Sequence, residues 1–120
     1  MRITLFKSRI PENEMRALAR DSYGDMVKGV VDIESGWVAL GGELHADAEE
    51  VLLNTDSRQS DLWGFNLYPD QTGDNRIQYT SFINIRPRDG NTSIEVQDSQ
   101  LQTKIKSIVF SKLGWVSGGG

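Results

Sequence analysis

The residues best suited to chemistry lie in one short segment, Gly41-Gly42-Glu43-Leu44-His45-Ala46-Asp47. If the segment is extended, the side chains of Glu43, His45 and Asp47 project to one side, because successive residues alternate. An imidazole and carboxylates can bind a divalent metal ion or perform general acid–base catalysis. Asp61 is a fourth candidate metal ligand if the chain before it folds back. The segment therefore predicts a metal or catalytic site, with His45 and Glu43 as the catalytic candidates.

The same segment also has a structural interpretation, which is the simpler of the two. Asp47 followed by Glu50 is the pattern of a capping box at the start of a helix. The Gly41-Gly42 pair is typical of a tight turn, which hydrogen bonds from Glu43 and His45 would anchor. Asp47 is better explained as a helix cap than as a ligand. Glu43 and His45 are then the residues whose chemistry is unexplained.

A second candidate surface follows from the strand pair predicted over 61–68 and 76–86, where apolar and polar residues alternate. If Tyr68 pairs with Arg76, all the strongly apolar positions share one face. Helices on that face would leave the other face uncovered, with Phe82 on it, whereas helices on both faces would cover it. The residues predicted to bind a ligand or partner there are Asn66, Tyr68, Asn84 and Arg86.

Two smaller features of these strands each allow two interpretations. Arg86 and Arg88 precede the loop 90–93, and together they suit a small anionic ligand, although pairing with surface carboxylates is the simpler explanation. Gly64 lies inside a predicted strand, where glycine often marks the close approach of a ligand or another backbone. Room for the packing of Trp63 or Phe82, or a bulge, is the simpler explanation.

The elements that position these residues follow from periodicity and turn residues. The order β-α-β-β-α-β-β-α predicts an α+β fold, with a mostly antiparallel sheet and helices packed on one face. The predicted elements are a strand 2–6, a helix from Pro11 to Gly24, a hairpin of 26–33 with 37–40, a helix from Asp47 to Asn54, the strand pair above, and a helix from Ser99 to Gly114.

Length and composition set further limits. A chain of 120 residues is expected to form a single domain, here 1–116, followed by a flexible glycine-rich tail at 117–120. There is no cysteine, no signal peptide and no apolar stretch long enough for a membrane span. We therefore expect a cytoplasmic protein that does not bind membranes.

The charge of the chain argues against general binding of nucleic acids. There are 17 acidic and 13 basic residues, a net charge of −4, and the basic residues are scattered. Affinity for nucleic acid depends on clustered lysine and arginine. A local patch of Arg76, Arg86 and Arg88 remains compatible with RNA contact.

Several stretches of the sequence together resemble a family of small prokaryotic proteins that is known only as a domain of unknown function. The stretches are 25–33, Gly41–Asp47, Asp61–Pro69 and Ile83–Pro87, and the resemblance spans roughly residues 1–113. It implies a complete, stand-alone protein. It implies no activity, cofactor, partner or catalytic residue.

Three functions are compatible with these residues. The first is a ligand- or protein-binding module that acts as a homo-oligomer through the uncovered strand face. The second is a metal-dependent hydrolase in which Glu43, His45, Asp47 and Asp61 hold a divalent ion that activates water. The third is a regulator or a toxin–antitoxin component that acts on RNA or on another protein.

Overall fold

A five-stranded antiparallel sheet of order β1-β3-β2-β4-β5 forms the centre of the fold. The computed structural model describes residues 1–114, so the predicted tail at 117–120 lies outside the described residues. The elements are β1 (Ile3–Phe6), α1 (Glu12–Asp21), β2 (Val27–Asp32), β3 (Val38–Gly41), α2 (His45–Leu53), β4 (Leu62–Leu67), β5 (Ile77–Gln78) and α3 (Ser99–Lys112). Their order and the α+β class confirm the prediction.

The hairpin of β2 and β3 is closed by the side chain of Asp32. Its carboxylate accepts the backbone N–H groups of Glu34 and Ser35, at 2.8 and 3.0 Å, and the hydroxyl of Ser57 at 2.6 Å. Burial raises the pKa of Asp32, but these hydrogen bonds to the charged form outweigh burial and lower the pKa overall. Gly36 completes the turn with a φ of 80°, a conformation that glycine adopts without strain.

The helices cover both faces of the sheet, so the prediction of helices on one face is wrong. On one face, Val27, Val31 and Phe65 belong to the core that α1 and α3 complete. On the opposite face, Val30 and Ala39 pack beneath α2. The physical reason is that β2 and β3 are apolar at successive positions, and a strand of that kind needs cover on both sides.

The predicted register of β4 against β5 is confirmed, but the predicted strand 76–86 is wrong beyond Gln78. Asn66 lies opposite Gln78 and Leu67 opposite Ile77, as the pairing of Tyr68 with Arg76 requires. After Gln78 the chain leaves the sheet and forms a short 3-10 helix at Phe82–Asn84, and a second one at Pro87–Asp89.

No helix within residues 1–114 is both long enough and apolar enough to cross a membrane.

Candidate functional site

His45 is buried at the start of α2, and its ring faces the sheet. Its Nε2 atom lies 2.8 Å from the carbonyl oxygen of Phe65, to which it donates a hydrogen bond. Burial lowers the pKa of His45, and the positive charge of Lys28 acts in the same direction. The hydrogen bond to Phe65 and the nearby polar side chain of Asn66 offset only part of that effect. His45 therefore remains neutral at physiological pH and anchors α2 to β4.

Glu43 and Asp47 serve the turn that leads into α2. The hydroxyl of Tyr23 donates to the carbonyl oxygen of Glu43, whose own side chain is exposed. The carboxylate of Asp47 accepts the N–H of Leu44 at 3.3 Å. Asp47 is therefore the third helical residue and not the N-cap, so the predicted Asp47–Glu50 capping box is wrong in position. Helix α2 begins at His45, before Asp47. From the third helical position the carboxylate of Asp47 reaches back to the N–H of Leu44, the N-cap residue.

The predicted metal ligands are not brought together. Asp61 accepts a hydrogen bond from Arg58 at 3.2 Å, whereas His45 is directed at Phe65. Across residues 1–114, no group of three or more histidine and carboxylate side chains is placed to hold a metal ion. The segment Gly41–Asp47 thus has the geometry of a turn and a helix start.

The strand face predicted to be uncovered is covered, so that prediction is wrong. Asn66 is only 8% exposed, because α2 and the segment after β5 close over this face of β4. Its Nδ2 reaches the carbonyl oxygen of Thr80 at 3.4 Å, and within the described chain its buried Oδ1 has no hydrogen-bond partner. Tyr68 lies nearer the edge, where its hydroxyl donates to Gln78 at 2.9 Å.

Asn84 is fully buried and takes the place of a strand residue beside Gly64. Its Oδ1 accepts the N–H of Gly64 at 2.8 Å, and its Nδ2 donates to the carbonyl oxygen of Gly64 at 3.0 Å. The same Nδ2 lies 3.1 Å from the carbonyl oxygen of Ile94. The amide thus pairs with the edge of β4 where the predicted strand is missing, and it holds the segment 79–97, which we call the docked loop.

Asn91 is the second buried asparagine of the docked loop. Its Nδ2 lies within 3.0 Å of the carbonyl oxygens of Asn84, Ser93 and Glu95, and its Oδ1 accepts the N–H of Gln97 at 2.9 Å. Buried amides that are hydrogen-bonded in this way satisfy the backbone groups of an irregular segment and rigidify it. The docked loop is therefore preorganised, although it contains almost no regular structure.

Arg86 holds the docked loop against the body of the protein. Its guanidinium carbon lies 3.8 Å from the centre of the Trp63 ring, and the group donates to the carbonyl oxygens of Gln59 and Leu62. Burial lowers the pKa of Arg86, while the nearby carboxylates, first that of Asp89, act against this. Arg86 is thus already engaged by protein groups, which leaves the exposed Arg88 as the accessible cation of the predicted anion site.

Three apolar side chains of the docked loop are exposed. Phe82 is 83% exposed, and Ile85 and Ile94 are 43% and 40% exposed. We call these three side chains the loop surface. They lie in the stretches 77–85 and 91–94, neither of which contains a charged residue. Sequence reasoning placed Phe82 on an uncovered face but missed Ile85 and Ile94, because it assigned them to a strand or a polar loop.

The fold is a small α+β domain, and the docked loop gives it a group of exposed apolar side chains. The chain belongs to the family of proteins of unknown function designated DUF5674, whose model matches residues 4–112. Membership confirms the resemblance that the sequence segments indicated. No curated protein and no solved structure gives a significant match to the chain.

Proposed function

We propose that this protein is a binding module that associates with a second copy of itself through the loop surface. The observation that carries the proposal is the exposure of Phe82 on a loop that two buried asparagines hold in place. Exposed aromatic side chains in well-defined positions are the usual anchors of protein interfaces.

The rigidity of the docked loop favours binding. Association normally costs free energy because interface loops and side chains must be ordered. Here Asn84 and Asn91 have already ordered the backbone that carries Phe82, so less of that cost remains. Burial of a phenylalanine side chain contributes about 1.5–3 kcal/mol, which is then available for association.

The charge distribution makes the loop surface the place where a second copy meets the least repulsion. The protein has a net charge of −4, so two copies repel each other over most orientations. The two stretches that form the loop surface, from Ile77 to Ile85 and from Asn91 to Ile94, contain no charged residue. Two copies related by a two-fold axis would place this surface against itself and avoid contacts between like charges.

The test is the oligomeric state of a Phe82→Ser variant, measured by size-exclusion chromatography with light scattering over a wide range of protein concentration. We expect the unmodified protein to dimerise with increasing concentration and the variant to remain monomeric. Leu44→Ser is the matched control, because Leu44 is also an exposed apolar residue but precedes α2. It should dimerise like the unmodified protein.

Two results would overturn the proposal. One is an unmodified protein that stays monomeric at the highest concentration, and the other is equal weakening by Phe82→Ser and Leu44→Ser. The hydrolase hypothesis gains no specific observation from residues 1–114, since the predicted metal ligands there do not form a group.

A further inference from the structure

We infer that a groove along α1 is a binding site for a small molecule that carries a diphosphate group. The groove has a volume of about 510 Å³, which is the size range of small-molecule sites. It lies apart from the docked loop in sequence and is independent of the proposed self-association. It is lined by Arg9, Pro11, Glu12, Asn13, Arg16 and Arg20.

Three guanidinium groups line this one groove. Arg16 and Arg20 are four residues apart on α1, so their side chains lie on the same face of the helix. Arg9 precedes the helix and lines the groove from its other end. Both Arg9 and Arg20 are exposed, and within residues 1–114 neither forms an ion pair. Their positive charges are therefore available to a ligand.

The two hydrogen bonds of Arg16 show that this part of the groove binds carboxylate oxygens. Its Nε donates to Glu12 at 2.9 Å, and one terminal nitrogen donates to Asp70 at 2.8 Å. The hydrogen bonds to Asp70 and then to Glu12 raise the pKa of Arg16. The guanidinium is thus already oriented toward oxyanions. An exposed ion pair such as Arg16–Asp70 is weak, so a phosphate can replace the Asp70 carboxylate at small cost.

The surrounding carboxylates limit the size of the ligand. Glu12, Glu14, Asp21 and Asp70 flank the arginines, so an extended polyanion would bring phosphates against negative charge. A compact anion avoids these contacts. Two linked phosphates can engage more guanidinium groups at once than a single phosphate can, so a diphosphate fits this groove better than inorganic phosphate.

The test is isothermal titration calorimetry at low ionic strength with four probes: inorganic phosphate, pyrophosphate, adenosine diphosphate and a short single-stranded RNA. We expect pyrophosphate to bind at least about tenfold more tightly than phosphate, because it adds charge-assisted hydrogen bonds. Arg9→Gln and Arg20→Gln should each weaken pyrophosphate binding about tenfold. Tighter binding of adenosine diphosphate would assign the ligand as a nucleotide, and equal binding as the diphosphate group alone.

Arg58→Gln is the matched control, because Arg58 is an exposed arginine outside the groove. Its affinity for pyrophosphate should equal that of the unmodified protein. The inference is overturned if pyrophosphate does not bind, if inorganic phosphate binds as tightly, or if Arg58→Gln weakens binding as much as Arg9→Gln does. Tighter binding of RNA than of pyrophosphate would also overturn it.

Discussion

At the scale of single residues, His45 shows how a chemically suggestive side chain becomes structural. Its imidazole donates to the carbonyl oxygen of Phe65 and is buried beneath α2. A buried imidazole loses hydration that its charged form needs more than its neutral form. The single histidine of the chain is thus a sensor of pH for folding, whether or not it has another role.

His45 should make the protein less stable as the pH falls below about 6.5, the ordinary pKa of histidine. The folded-state pKa of His45 is lower than that value, so the unfolded chain takes up the proton first. The contribution to stability is therefore complete above pH 6.5 and is lost as the pH falls toward the folded-state pKa. Urea unfolding across this range should show a slope of at most about 1.4 kcal/mol per pH unit.

The control for this prediction is His45→Gln, whose side-chain amide can donate to the same carbonyl but does not titrate. Its free energy of unfolding should be flat over the same range of pH. Asp32 does not interfere, because its pKa is lowered from 3.8 and its contribution is lost only below that value. An unmodified protein with no slope, or a variant with the same slope, would contradict the assignment.

At the scale of elements, the docking of an irregular loop on β4 depends on Gly64. A Cβ atom at this position would lie 2.4 Å from Cβ of Ser81 and 2.7 Å from its hydroxyl oxygen. The glycine therefore makes room for the side chain of Ser81, and neither another backbone nor an aromatic ring is the nearest neighbour. Without a side chain at position 64, the amide of Asn84 reaches both backbone groups of the strand.

Gly64→Ala should lower the free energy of unfolding by about 1–3 kcal/mol, the usual cost of overpacking. The double variant Gly64→Ala/Ser81→Gly should recover part of this loss, because the second change removes the Cβ that the alanine meets. Urea unfolding of the parent, the two single variants and the double variant completes a thermodynamic cycle. Strictly additive losses would show that the two residues do not compete for the same space.

The elements themselves differ in how far the sequence predicts them. The helix periodicity of α1 and α3, the hairpin turn at Gly36 and the register of β4 with β5 are local patterns, and all were predicted. The docked loop was not predicted, because side-chain amides hold it in place and hydrogen bonds of this kind leave no periodic pattern in the sequence. The packing of α2 on the second face of the sheet was not predicted either, although the apolar run Val38–Leu40 indicates a strand that is covered on both faces.

At the scale of the whole molecule, one acidic stretch of the chain lies on the face of the sheet opposite to the groove. The stretch Glu43–Asp56, which includes α2, contains five carboxylates and no lysine or arginine. The arginines of the groove lie on α1, which packs against the opposite face of the sheet. The spacing of Arg16 and Arg20 was visible in the sequence, but their convergence with Arg9 depends on how the chain enters the helix. The groove, with its arginines, and the uncharged loop surface thus differ in charge as well as in position.

This difference predicts opposite responses to salt. Self-association through the uncharged loop surface should become a few-fold tighter as sodium chloride is raised, because screening weakens the repulsion between two copies of net charge −4. Sedimentation equilibrium at low and high salt measures this change. Pyrophosphate binding in the groove should weaken over the same range and serves as the internal control. Self-association that weakens with salt would indicate ion pairs at the interface.

Because Asn84 and Asn91 anchor the docked loop, different side chains determine its stability and the chemistry of its outer surface. The side chains that hold the loop point inward, whereas that of Phe82 is 83% exposed and contributes little to the fold. We therefore expect substitutions at Phe82 to change the chemistry of this surface at little cost in stability. The protein is in that sense a natural display scaffold, open to diversification by selection or by design.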